Sequence, residues 1–158
     1  MKVIFLDIDG VLNSRAYDRR RDWNKQTDID ETRLPLIKQI IDATGAKIVL
    51  SSSWRQHWDR DPDRCGEDGR YINESFAKFG LRIYDKTPDL GFSAVRKDEV
   101  EKWLNETEEN IEAFVIIDDY RYGWGGLNEH FVKTEPNFRL GIESEHVEKA
   151  IEILNKHS

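Results

Sequence analysis

Apolar residues along this chain fall into short solid runs and into spaced stripes, and the two patterns point to different elements. Val3-Ile4-Phe5-Leu6 is a solid run, and so are the segments 46–50 and 113–117. Such runs, without polar alternation, predict strands buried on both faces of a parallel sheet. Weaker runs at 81–84 and 131–134 are further strand candidates. Leu34, Leu36, Ile37, Ile40 and Ile41 recur at helical spacing and predict a helix over 31–44, with Pro35 tolerable in its first turn and Gly45 just past its end. Val100, Trp103 and Leu104 predict a helix over 98–107, and Val147, Ile151 and Leu154 one over 145–156. Shorter helices are expected over 54–60 and over 72–79, the second closed by Gly80. Strands that alternate with helices predict an α/β fold, a mainly parallel sheet with helices on both faces.

The segments between these elements are polar. Residues 14–30 are rich in arginine, with Tyr17 and Trp23 as their large apolar residues, and read as a flap beside the end of the first strand. Residues 59–70 are dominated by Asp, Pro, Gly and Arg and read as an exposed loop, as do 86–92. The stretch 120–126, YRYGWGG, is an aromatic, glycine-rich loop in which Trp124 is expected to pack on the core. No repeat or linker divides the chain, so residues 1–158 are expected to form one domain.

Charge adds an exclusion. A net charge of −7 argues against broad, non-specific binding to nucleic acid, which needs a basic field. The run Arg19-Arg20-Arg21 reads as solvated surface. The single cysteine, Cys65, excludes an intrachain disulfide and a cysteine-based zinc site. No apolar stretch approaches membrane-spanning length, and the chain opens on a strand rather than a signal peptide, so a cytoplasmic location is expected.

The candidate chemistry gathers at the carboxyl ends of the three strongest strands, where open α/β sheets put their ligands. Asp7 and Asp9 follow the first, and alternation along extended backbone would send both carboxylates one way. Two acids that close repel each other unless a cation lies between them. Gly10 permits the sharp turn that follows. Ser51-Ser52-Ser53-Trp54-Arg55 follows the second strand; its hydroxyls and arginine can hold an oxyanion, or the serines can simply cap a helix. Asp118 and Asp119 follow the strand at 113–117. Arg96 and Lys97 precede a helix start, where a cation is mildly unfavourable unless an anion is bound. An all-oxygen acidic set of this charge favours Mg²⁺.

On these motifs the sequence resembles the haloacid dehalogenase (HAD) superfamily, whose first motif is D-x-D after the first strand. LDIDGVLN, VLSSSWR and IIDD resemble, more narrowly, the HAD domains associated with RNA-repair proteins; the motifs span residues 2–120. The resemblance implies a HAD-like Rossmannoid three-layer α/β/α fold with little or no cap domain. It implies a Mg²⁺-dependent phosphatase in which Asp7 is the nucleophile that becomes an aspartyl-phosphate. Asp9 would be the general acid and base, and its backbone carbonyl a metal ligand. Ser52, with Ser51 as the alternative, would bind phosphate, together with Arg96 or Lys97 and with Arg55 at the rim. Asp118 and Asp119 would complete the metal site. The substrate implied is a phosphorylated polynucleotide end or a nucleotide, with Arg15, Trp54, Arg55 and Trp124 as candidate rim residues. The rival reading is a non-catalytic receiver-like module, or a pseudoenzyme that only binds phosphate. Receivers place paired acids after the first strand and the phosphoacceptor after the third, and the order in this chain is the reverse.

Overall fold

The computed structural model describes residues 1–14, 28–120, 123–135 and 140–156. Among them, five strands form one all-parallel sheet: β1 (Lys2–Leu6), β2 (Lys47–Leu50), β3 (Ile83–Lys86), β4 (Ala113–Asp118) and β5 (Phe131–Lys133), in the order β3-β2-β1-β4-β5. The helices are α1 (Leu34–Thr44), α2 (Glu67–Ala77), α3 (Arg96–Glu106) and α4 (Ser144–Asn155). The chain builds outward from β1 through β2 to β3, then returns to the other side of β1 for β4 and β5. The change of direction at β1 opens a crevice at the carboxyl end of the sheet, the place where such folds bind ligands.

Alternation along β1 divides the core. Ile4 and Leu6 face one side with Ile48, Leu50, Val115 and Ile117, covered by α1, α2 and α4 through residues such as Ile37, Ile40, Phe76 and Leu154. Val3 and Phe5 face the other side with Val49 and Ile116, covered by Val100 and Trp103 of α3 and by Trp124. Phe5 meets Trp103 and Phe114 edge-on, with ring centroids 5.4 and 5.8 Å away. The result is the three-layer α/β/α arrangement, and both faces of β1 are buried as its unbroken apolar run requires.

Several boundaries differ from the sequence expectation. Helix α2 starts at Glu67 rather than at 72, because Gly69 sits against the backbone carbonyl of His57, where any side chain would collide. A glycine that weakens the helical pattern is therefore a packing requirement. The expected helix over 54–60 is a 3₁₀ turn, Ser53–His57, and β3 lies at Ile83–Lys86 because Leu81 closes the end of α2 by donating its N–H to the Phe76 carbonyl at 3.0 Å. Helix α3 starts at Arg96, so Arg96 and Lys97 lie inside its first turn. Asp98 and Glu99 in that turn complement the helix dipole that the two cations oppose. Helix α1 follows a 3₁₀ turn, Glu31–Arg33, and ends at Gly45 with φ of 72°. The segment 59–70 holds a 3₁₀ turn, Pro62–Arg64, and the start of α2, and no inserted cap. Most of the expected flap, residues 15–27, lies outside the described residues, and Arg15, Arg19, Arg20 and Arg21 with it. No helix among the described residues is long and apolar enough to cross a membrane.

Candidate active site

Strand register assembles the centre of the site. Leu6 pairs with Leu50 on one side and with Ile117 on the other. One residue further the ladder continues: Ser51 N–H donates to the Leu6 carbonyl at 2.8 Å, and Asp7 N–H to the Ile117 carbonyl at 3.1 Å. Ser51, Asp7 and Asp118 therefore stand abreast on three neighbouring strands at the mouth of the crevice. Carboxylate oxygens of Asp7, Asp118 and Asp119 lie within 4.8 Å of one another. Gly10, at φ of +80°, passes so close to the Asp119 carboxylate that a Cβ would overlap it. The Gly10 carbonyl in turn accepts the hydroxyl of buried Thr134, just beyond β5, at 2.7 Å.

Arg96 reaches this group from the first residue of α3. Its Nη1 lies 2.9 Å from Asp7 Oδ1, 3.0 Å from Asp118 Oδ2 and 2.6 Å from the Ser51 carbonyl. Asp118 Oδ1 also accepts the Tyr120 N–H at 3.0 Å. Arg96, Asp118 and Asp119 line a cleft of about 250 Å³ with Ala94, Val95, Lys97, Tyr120 and Trp124.

Electrostatics leaves this arrangement incomplete. Burial raises the Asp7 carboxyl well above its ordinary value, the charge of Asp118 raises it further, and Arg96 only partly opposes them. Burial likewise pushes Asp118 up to about 6 against the pull of Arg96 and the Tyr120 N–H. On Arg96, burial works against the charge, yet the attraction of Asp7 and Asp118 outweighs it and raises the pKa. Three acids share one guanidinium, so their full ionisation would leave two negative charges uncompensated beside buried Asp7 and Asp118. That deficit and the all-oxygen donor set fit a hard divalent cation.

Asp9 occupies a different position. The expectation that alternation aligns it with Asp7 fails, because extended backbone ends at Leu6 and a turn begins at Ile8, whose carbonyl takes the N–H groups of Val11 and Leu12. The Asp9 side chain is not among the three clustered acids. Its carboxylate instead meets Trp54 Nε1, 3.2 Å from both oxygens, and Asn13 Nδ2, 3.0 Å from Oδ1.

The remaining sequence candidates separate by geometry. Ser52 caps the 3₁₀ turn by accepting the Trp54 N–H at 3.2 Å, whereas the buried Ser51 Oγ has no hydrogen-bond partner among the described residues. Lys97 lines the same cleft but pairs with Glu101 of α3, and not with the acids that Arg96 joins. Arg55 donates to the Ser52 carbonyl at 3.0 Å and is neutralised by buried Glu99 at 2.6 Å, so it braces the loop after β2 against α3. Trp124 packs on the core, 1% exposed, against Phe131. Glu99 and Thr134 escape a sequence reading because each acts on a residue brought near only by folding, whereas Asn13 binds Gly10 and Asp9, three and four positions away. The one signal available was that Asn13 falls inside the opening motif.

A family described as the HAD domain in Swiss Army Knife RNA repair proteins matches residues 3–147. No curated protein and no solved structure matches the chain.

Proposed function

The chain belongs to this family of HAD domains, and from that membership and the geometry above we propose that it is a Mg²⁺-dependent phosphatase acting through Asp7 on phosphorylated ends of nucleic acid or on nucleotides. The observation that carries the proposal is the row Ser51, Asp7, Asp118 joined by Arg96. It brings the Asp7 carboxylate beside the Arg96 guanidinium, Ser51 and Asp118, with Asp119 next to them, and this grouping supports Asp7 as the nucleophile. The polynucleotide part of the reading rests on the family's description and on the absence of an inserted cap in residues 59–70.

The side chains divide the work. An Asp7 carboxylate oxygen attacks phosphorus, and the ester oxygen leaves with a proton from Asp9. Asp9 then takes a proton from the water that attacks the aspartyl-phosphate, which restores Asp7 and releases phosphate. Ser51, with an uncommitted buried hydroxyl, donates to a phosphoryl oxygen, and it is the better placed of the two serines. Arg96 spends Nη1 on the acids and the Ser51 carbonyl, while its other guanidinium N–H groups make no hydrogen bond among the described residues and are available to phosphate. Asp7, Asp118 and Asp119, with the Asp9 carbonyl, would hold Mg²⁺. Bound there, the cation offsets the repulsion between the Asp7 carboxylate and a phosphate dianion and keeps Asp7 ionised.

Phosphate release measured on 3′- and 5′-phosphorylated oligonucleotides and on mononucleotides tests the reading. Turnover should require Mg²⁺, stop with a chelator, and fall at least about 10³-fold in Asp7→Asn. A folded protein with Mg²⁺ that hydrolyses none of these esters would refute the enzymatic reading.

A further inference from the structure

Asp9 stands in a turn, so the backbone alone does not aim its carboxylate, and the terminal torsion of an aspartate is broad and roughly two-fold. Two donors remove that freedom. Trp54 Nε1 sits 3.2 Å from each oxygen, so one N–H straddles the carboxylate. Asn13 Nδ2 adds a second donor to Oδ1 at 3.0 Å, while Asn13 Oδ1 accepts the Gly10 N–H at 3.0 Å. The amide of Asn13 thus ties the carboxylate to the turn that carries it.

The indole is itself immobile. Trp54 is fully buried, and its ring stacks on Tyr71 of α2 at 6.3 Å and 28°. Its backbone N–H is bound by the Ser52 hydroxyl, so the serine beside the phosphate-binding position sets the entry of the tryptophan. A buried tryptophan N–H needs a partner, and here the partner is the acid assigned to proton transfer. Among the described residues Oδ1 takes two donors and Oδ2 the shared indole alone, so Oδ2 keeps the greater acceptor capacity. Packing alone would be served as well by an aromatic ring without a donor.

We propose that Trp54, supported by Asn13, is a positioning residue that fixes the Asp9 carboxylate for proton transfer. This deepens the phosphatase reading and rests on it. Trp54→Phe keeps the ring and removes the N–H, which makes it the informative substitution. It should lower kcat about tenfold to a hundredfold, the scale on which a small misplacement of a reacting group is felt, with KM changed by less than about twofold.

The test is a double-mutant cycle with Asp9→Asn, read as kcat, together with the indole N–H resonances of the folded proteins. If Trp54 acts through Asp9, Trp54→Phe costs activity in the Asp9 background and almost nothing in the Asp9→Asn background. In addition, the indole resonance that disappears in Trp54→Phe moves in Asp9→Asn. An equal loss of kcat in both backgrounds would mean a purely structural role and would overturn the proposal. So would an indole resonance indifferent to Asp9→Asn, whatever the activity. A wild-type protein without turnover would instead sink the phosphatase reading, and the resonance alone would then decide whether Trp54 holds Asp9.

Discussion

Asp118 shows how one residue can be electrostatically costly and useful together. It is 1% exposed beside two other acids, and its pKa rises to about 6 from an ordinary value of 3.8. A folded-state pKa above the unfolded one means that the folded protein binds the proton more tightly. The stability contributed is therefore complete below about pH 4 and is lost as pH rises through about 6. Asp118→Asn stays neutral throughout. Without divalent cation, its Tm advantage over wild type should widen from about pH 4 to about pH 6, and Mg²⁺ should narrow it; thermal melting across that range checks this. Gly10 sets a second residue-scale expectation. Gly10→Ala must accept a left-handed φ and displace the Asp119 carboxylate, so it should cost about 1–3 kcal/mol in a chemical denaturation curve and raise the Mg²⁺ concentration needed for activity. At this scale the acids were legible because their chemistry follows from type and from position at a strand end. The Trp54–Asp9 contact was not, since it joins two loops whose approach depends on the whole sheet.

Among the elements, α3 is held to the loop after β2 by a buried pair. Glu99 accepts Arg55 at 2.6 Å and also the Leu90 N–H at 3.1 Å, so it joins three segments around the crevice. Glu99→Gln preserves the shape and leaves the Arg55 guanidinium without its main counter-charge. Removing one partner of a buried pair costs about 3–5 kcal/mol. Half-exposed Asp89, 3.6 Å from Arg55, offers a partial substitute, which puts the expected loss near about 3 kcal/mol in a urea titration. A change under about 1 kcal/mol would mean that the pair is not what anchors α3. Arg55 shows why its own sequence reading went only part of the way. A cation after a strand was legible as chemistry at the site, but the glutamate that neutralises it lies on a helix 44 residues later. Element starts were similarly obscured where a glycine served packing, as Gly69 does in α2.

For the whole molecule, the unbroken apolar runs of β1, β2 and β4 were enough to indicate a buried parallel sheet, because only helices on both faces can cover such strands. Sheet order and register were not written locally, and they are what put Ser51, Asp7 and Asp118 abreast. Overall charge bears on substrate handling. With a net charge of −7 and, among the described residues, Arg96 and Lys97 as the cations lining the cleft, an oligonucleotide should be held by contacts to one or two phosphates. The plot of log KM against log salt should then have a slope of about 0.7 to 1.4 for a single strand. A slope several times steeper would show that cations beyond the two lining this cleft take part.

If Asp7 is the nucleophile, turnover passes through a covalent phosphoenzyme on its carboxylate. During turnover with Mg²⁺, rapid quenching and borohydride reduction should convert an aspartyl-phosphate to homoserine, which peptide mass spectrometry locates. Homoserine should appear at position 7, dependent on substrate and absent in Asp7→Asn. Sustained turnover with Asp7 unmodified, or the label at another carboxylate, would contradict it.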